Sequence, residues 1–147
     1  MAKPEAWRLD PAQYPVSLRC DTRFQDLDLN RHLNNVAFAA LFENARVQLH
    51  QTLKLHENRV ESDRTMVAAF EINYLGEGTY PEPVMIWSGI GAVRNSSWTI
   101  LQAMFQGERC IATSDTVVVY RTDHQAKPLR PILRSQLENF LVSTATT

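Results

Sequence analysis

Cysteine is scarce: the chain holds two, Cys20 and Cys110. Each stands alone inside a strand-like run, which excludes a CxxC motif and a disulfide framework. The four histidines, His32, His50, His56 and His124, show no metal-ligand spacing, so no metal is expected. Charge of one sign is missing too. A net charge of −1, with no basic cluster interleaved with aromatics, argues against a nucleic-acid partner. No stretch approaches the ~18 apolar residues of a membrane span. The start, MAKPEAWRLDPAQYP, has no apolar core of signal-peptide length. A cytoplasmic protein with no membrane partner is expected. There are no repeats, low-complexity segments or linkers, and 147 residues suit one domain over 1–147 with a proper core.

What is there is concentrated in one stretch, Arg23 to Arg46, RFQDLDLNRHLNNVAFAALFENAR. A polar cluster empties into the most apolar run of the chain, an arrangement that costs free energy unless each buried polar group finds a partner. From Val36 to Phe42 every residue is apolar, and beyond it Ala45, Leu49 and Leu53 recur at a spacing of four. That predicts a helix buried all round at its front and half exposed at its back. Asn34 or Asn35 is placed to cap it. Roughly nineteen residues at about 1.5 Å each make a rod of about 28 Å, the central helix.

Around it the chain reads as strands. Residues 1–15 form an arm over the surface. Val16–Phe24 alternates, with Val16, Leu18, Cys20, Thr22 and Phe24 on one face. After a charged loop at Glu57–Arg64, Met66–Leu75 alternates again until Gly76-Glu77-Gly78 and two prolines break it. Val84–Arg94, Trp98–Gln106 and Arg109–Arg121 follow across short turns, an antiparallel meander. Pro131–Leu141 closes the chain with helical spacing and proline at its first position. The order β-α-β-β-β-β-α implies an α+β fold, a five-stranded antiparallel sheet curled around one long helix, with a C-terminal helix. The sheet's far face then needs cover, and the run Thr116–Tyr120 points to a second subunit.

Asp28, Asn30 and His32 alternate, so an extended approach would aim all three one way. A carboxylate, an amide and an imidazole beside a helix N-terminus can carry out hydrolysis without a metal. The carboxylate serves as general base or nucleophile. The free N–H groups of the first turn, near Asn34, Asn35 and Val36, hold an oxygen that becomes negative. Asp and Asn before a helix also serve as caps and turn formers, so spacing alone leaves both readings open. Asp26 points away from Asp28 and reads as a structural or solvated charge. Glu43 and Arg46 are spaced to pair on the helix.

The run at 23–46 closely resembles hotdog-fold thioesterases of the 4-hydroxybenzoyl-CoA thioesterase-like group, which carry Asp-x-Asp, Gly-His-x-Asn-Asn, Tyr and Glu-x-x-Arg there. It is closer still to the acyl-ACP thioesterases, with Asp-x-Asn-x-His-x-Asn-Asn-Val. Asn73-Tyr74-Leu75-Gly76-Glu77 resembles that group's Asp-Tyr-x-x-Glu, and Gly91–Ser97 resembles a turn near the pantetheine arm. The likeness covers roughly residues 16 to 140 and implies a hotdog fold and an acyl-CoA or acyl-ACP thioesterase of fatty-acid metabolism. It implies no cofactor. Asp28 becomes the catalytic carboxylate, Asn30 and His32 its partners, and Glu77 a further acid. Arg94, Ser96 and Ser97 become substrate-binding. Homodimers or tetramers are implied, joined sheet edge to sheet edge with the site at the interface, so that Glu77 and the 94–97 turn serve a partner's Asp28. Two departures bear on substrate. Arg31 replaces a glycine, to narrow the entrance or meet a phosphate, and Phe38 replaces a tyrosine. Two other readings stand beside this one. An enoyl-thioester hydratase would need Asp-x-Asn-Pro-x-His, which is absent. A non-catalytic acyl-thioester-binding module would keep the motif for packing.

Overall fold

The computed structural model describes residues 3–58, 60 and 62–144. The sheet is antiparallel throughout and its five long strands run in the order β1-β3-β4-β5-β2. They are β1 (Val16–Cys20), β2 (Asp63–Tyr74), β3 (Val84–Val93), β4 (Ser97–Gln106) and β5 (Arg109–Thr122). A two-residue strand, β6 (Gln125–Ala126), folds back on the end of β5. The long helix α1 spans Asn35–Thr52 and a short helix, α2, spans Pro131–Glu138. The expected order holds, and the sheet is the hotdog's wrapping. Part of the charged loop expected at 57–64 (residues 59 and 61) and the ends of the chain lie outside the described residues.

The sheet curls around one face of α1. Ala37, Phe38, Phe42, Ala45, Arg46 and Leu49 form that face, a stripe of helical spacing. Its front half packs on Cys20, Val84, Ile86, Met104 and Ile111. Its back half packs on Ile90, Trp98, Ile100 and Val118, closed off by Leu133 and Leu137 of α2. Phe42 and Leu49 are at 0% and 1% exposure, so each contributes about 2–3 kcal/mol of burial. The all-round burial expected of the front turns is not found in the single chain. Val36 is 73% exposed, because the sheet covers one side of the helix and nothing described in this chain covers the other. Glu43 and Arg46 make no close ion pair. Arg46 is instead buried against the sheet, its guanidinium 4.8 Å from the Phe70 ring centroid.

The far face of the sheet is covered in part by the chain's own N-terminal arm. Two short 3-10 turns, Ala6–Leu9 and Pro11–Gln13, bring Tyr14 onto Ala103 and Phe105. Arg8 anchors the arm, donating to Asp115 at 2.8 Å, Tyr14 at 3.1 Å and the carbonyls of Gln102 and Ser114. β5 lies between β4 and β2, and the sheet's edges are β1 and β2. On the β2 edge Met66, Val67, Phe70 and Tyr74 are all substantially exposed. A bulge between Val67 and Ala69 interrupts its register with β5, raising the local twist.

Candidate active site

Residues 21–34 leave β1 and enter α1 through two local devices. A 3-10 turn at Phe24–Asp26 is closed by the Asp26 carboxylate, which accepts from the Arg23 backbone N–H at 2.9 Å and from its guanidinium at 2.9 Å. Asp26 is therefore structural. Burial pushes its carboxyl up, but the bonds from Arg23 outweigh that and hold it below the usual carboxylate range.

The second device is a loop that the alternating spacing misread. Leu27 and Leu33 bridge its base. The Asp28 N–H donates to the His32 carbonyl at 2.9 Å, and the Arg31 N–H donates to the Asp28 carbonyl at 3.0 Å. The segment is thus folded back on itself, not extended. Asp28 holds it closed: its Oδ1 accepts from the N–H groups of Asn30 (2.8 Å) and His32 (3.2 Å). Arg31 takes the left-handed conformation this demands, with φ 63°, a position that favours glycine. Asp28, Asn30 and His32 still line one cleft, brought together by the turn. Among the described residues nothing binds Asp28 Oδ2.

The loop is docked from both sides. The Asn34 N–H donates to the Asp26 carbonyl, and the Leu33 N–H to the carbonyl of Gly78, each at 2.9 Å. Gly78 sits so close that a Cβ there would meet Leu33 at 2.5 Å. Glu77, its neighbour, places Oε2 3.1 Å from Nε2 of the same chain's His32. Within one protomer Glu77 thus reaches His32 of its own loop.

Asn34 is the cap, its Oδ1 accepting from the Ala37 N–H at 2.8 Å. With the Asn34 and Ala37 amides taken, the N–H groups of Asn35 and Val36 are left at the positive end of the helix, without an acceptor among the described residues. Asn35 lines the cleft with Leu33, Phe38, Tyr74, Gly76 and Glu77, enclosing about 300 Å³. Phe38 meets Tyr74 edge to face at 5.2 Å, so Tyr74 brings to the cleft the phenol that the helix lacks. Arg94, Ser96 and Ser97 stand elsewhere, at the β3–β4 turn. The cleft is lined instead by the Asp28 loop, the first turn of α1 and the end of β2 with the segment after it. One protomer therefore does not bring these three residues to Asp28.

Sequence reasoning missed Gly78, Leu33 and Asn35's neighbour Tyr74 as parts of the site. The close repeat of glycine around Glu77 was the available signal. No group of three or more His, Cys, Asp or Glu side chains among the described residues could hold a metal ion. No helix among them is long and apolar enough to cross a membrane.

Comparison with known proteins bears on the fold and the family. The structure is similar to that of a thioesterase from Thermus thermophilus complexed with coenzyme A and Zn, at 25% identity and TM-score 0.77, covering 86% of this chain and 94% of that one. It is similar in fold to a predicted thioesterase from Bacillus stearothermophilus, at 21% identity and TM-score 0.79, covering 88% and 98%. The PA5185 protein from Pseudomonas aeruginosa strain PAO1 shares the fold at 20% identity and TM-score 0.79, covering 90% and 95%. A search of curated proteins gives no match. The family model of the thioesterase-like superfamily matches residues 22–137, a span from just before the Asp28 loop into α2, and the chain belongs to that superfamily.

Proposed function

We propose that the protein hydrolyses acyl thioesters, RCO–S–R′ plus water giving an acid and a thiol, with Asp28 as general base or nucleophile. One observation carries this reading. Asp28, whose Oδ2 has no partner among the described residues, lines the cleft shared by the first turn of α1 and the His32–Glu77 pair. The acyl carbonyl oxygen is held by the amides of Asn35 and Val36, where the helix dipole offsets its developing charge. Acting as base, Asp28 takes a proton from water as the oxygen attacks the acyl carbon. The C–S bond breaks and the proton passes to the departing sulfur. Asn30 orients the water or Asp28, and His32, held by Glu77, completes the proton relay.

The carrier we favour is coenzyme A, in keeping with the coenzyme A complex of the Thermus relative; an acyl carrier protein is the other choice. Two copies pair antiparallel through the open edge of β2 to form a homodimer, which is also the unit from which a tetramer would be built. That pairing turns one sheet end for end against the other. The turn bearing Arg94, Ser96 and Ser97 in one copy then lies at the same end of the dimer as Asp28 in the other, available to the substrate's pantetheine arm.

The test is thiol release from a panel of acyl-CoAs, short, long and aromatic, by the natural protein and Asp28→Asn. Loss of about 10²-fold or more with folding intact supports the assignment. Equal turnover by both proteins removes Asp28 from the chemistry. No turnover by either, with acyl-ACP substrates included, leaves a binding module.

A further inference from the structure

Asp28 stands between two clefts. The one already described lies on the β2 side. The other opens away from it and is lined by Phe24, Leu27, Leu29, Arg31 and Tyr80, with Asp28 as the shared wall. Its lining is unusual for a protein surface. Phe24 is 75% exposed and Leu29 fully exposed, while apolar side chains of this size on the same loop usually find cover. Phe24 and Tyr80 meet edge to face at 6.0 Å, and Tyr80 is exposed as well. The single cation lining the cleft among the described residues, Arg31, is held on a backbone with φ 63°. That conformation costs a side chain with a Cβ about 1–2 kcal/mol, and here it presents a guanidinium beside two solvated aromatic rings.

A thioester has two arms, and its reacting carbon must sit at Asp28. A carboxylate that walls two clefts gives each arm its own. The inner cleft, with Phe38 and Tyr74, is contiguous with the helix–sheet seam and suits the acyl group. The outer cleft combines aromatic faces with a guanidinium and, among the described residues, has no acidic side chain in its lining other than Asp28 itself. Aromatic faces stack on bases, and a guanidinium binds phosphate oxygens in pairs. We propose that the cleft of Phe24, Leu29, Arg31 and Tyr80 binds the adenosine-phosphate end of a coenzyme A carrier, with Arg31 on a phosphate and the two rings against the adenine. The inference rests on the thioesterase reading for its choice of carrier. Because Arg31 and Asp28 line the same cleft, the pantetheine arm runs folded between the nucleotide and the reacting carbon.

The experiment uses the full chain and two kinds of probe. Adenosine 3′,5′-bisphosphate, titrated calorimetrically, reports the cleft without any turnover. Acyl-CoA and the matching acyl-N-acetylcysteamine thioester, which lacks the nucleotide, report it during turnover. Arg31→Gly, Arg31→Lys and Phe24→Ala are compared with the natural chain. The expected result is a bisphosphate Kd raised about tenfold by Arg31→Gly and about fivefold by Phe24→Ala, with Arg31→Lys between natural and glycine. KM for acyl-CoA should rise in step, by at least about tenfold more than for the truncated thioester. Equal losses on both thioesters overturn the proposal, since they place the effect at the Asp28 loop. Losses confined to acyl-ACP overturn it in favour of a protein carrier. Should no thioester be hydrolysed, bisphosphate binding weakened by Arg31→Gly sustains the cleft while the hydrolase reading falls; absence of binding overturns the cleft as well.

Discussion

His50 makes the stability of this protein depend on pH in a window above that of its buried carboxylates. It lies in the last turn of α1, its ring edge-on to Trp98 at 5.8 Å. Its Nε2 is shut off from solvent with no hydrogen-bond partner among the described residues, as is Trp98 Nε1. Both rings border a small cavity with Leu55, Leu133, Tyr120, Asp63, Arg64 and His56. Burial pushes the imidazole down to about 4, and the nearby His56 and Arg46 push the same way. In the unfolded chain it titrates near ~6.5. Between those values the unfolded chain takes up a proton that the native protein refuses. The native state is therefore fully favoured above ~6.5 and loses about 1.4 kcal/mol per pH unit as the pH falls towards 4, about 3 kcal/mol in all.

The buried carboxylates act in a lower window. Burial pushes Asp63 up, but hydrogen bonds from Tyr120, the Val60 N–H and Thr122, with Arg130 nearby, hold it below its ordinary range. Asp26 is held down by Arg23 in the same manner. The stability these two supply is present above ~3.8 and is lost as pH falls through their native values. Urea unfolding followed by tryptophan fluorescence, at fixed protein concentration and at about pH 7.5, 6.5, 5.5 and 4.5, separates the two windows. The natural chain should lose about 2–3 kcal/mol more than His50→Gln between about pH 6.5 and 4.5. Parallel curves would refute the reasoning, by showing that the native imidazole takes its proton as readily as the unfolded one.

Two further outcomes follow from the geometry. Gly78→Ala drives a Cβ against Leu33 at 2.5 Å; because Leu33 and Gly78 hold the Asp28 loop against the Glu77 segment, hydrolysis should fall about tenfold or more while the thermal midpoint drops only a few degrees. Unchanged kcat/KM would show that the loop is set by other contacts. Val67→Arg on the open edge of β2 should shift the sedimentation coefficient from dimer towards monomer and take activity with it. A dimer that survives the change places the interface on another surface.

The fold was legible because its signals are periodic. β3, β4 and β5 are strand-like runs parted by short turns, and α1 carries a long apolar run with Asn34 at its head, so their bounds fall within a few residues of expectation. What escaped was set by contacts across the chain. Nothing in an arginine's chemistry announces a left-handed backbone, so the turn at Arg31 read as extended chain. Nothing in the arm's own sequence marks Arg8 as its anchor, because its acceptors at Gln102, Ser114 and Asp115 come from β4 and β5. Val36 counted as core by composition, yet it is exposed in the single chain. The convergence of Asp28, Asn30 and His32 was anticipated, though by the wrong geometry. The pairing of His32 with Glu77 depends on where the segment after β2 comes to rest, which no local pattern encodes.

The arm and the tail carry a consequence for the order of folding. The Ser143 N–H donates to the Gln13 carbonyl, the Val142 N–H donates to Ile90, and Arg8 grips Ser114 and Asp115. Segments more than a hundred residues apart thus meet on one face of the sheet. The cover over Ala103 and Phe105 is built from contacts of the longest sequence separation in the fold, the kind that form late and slow folding most.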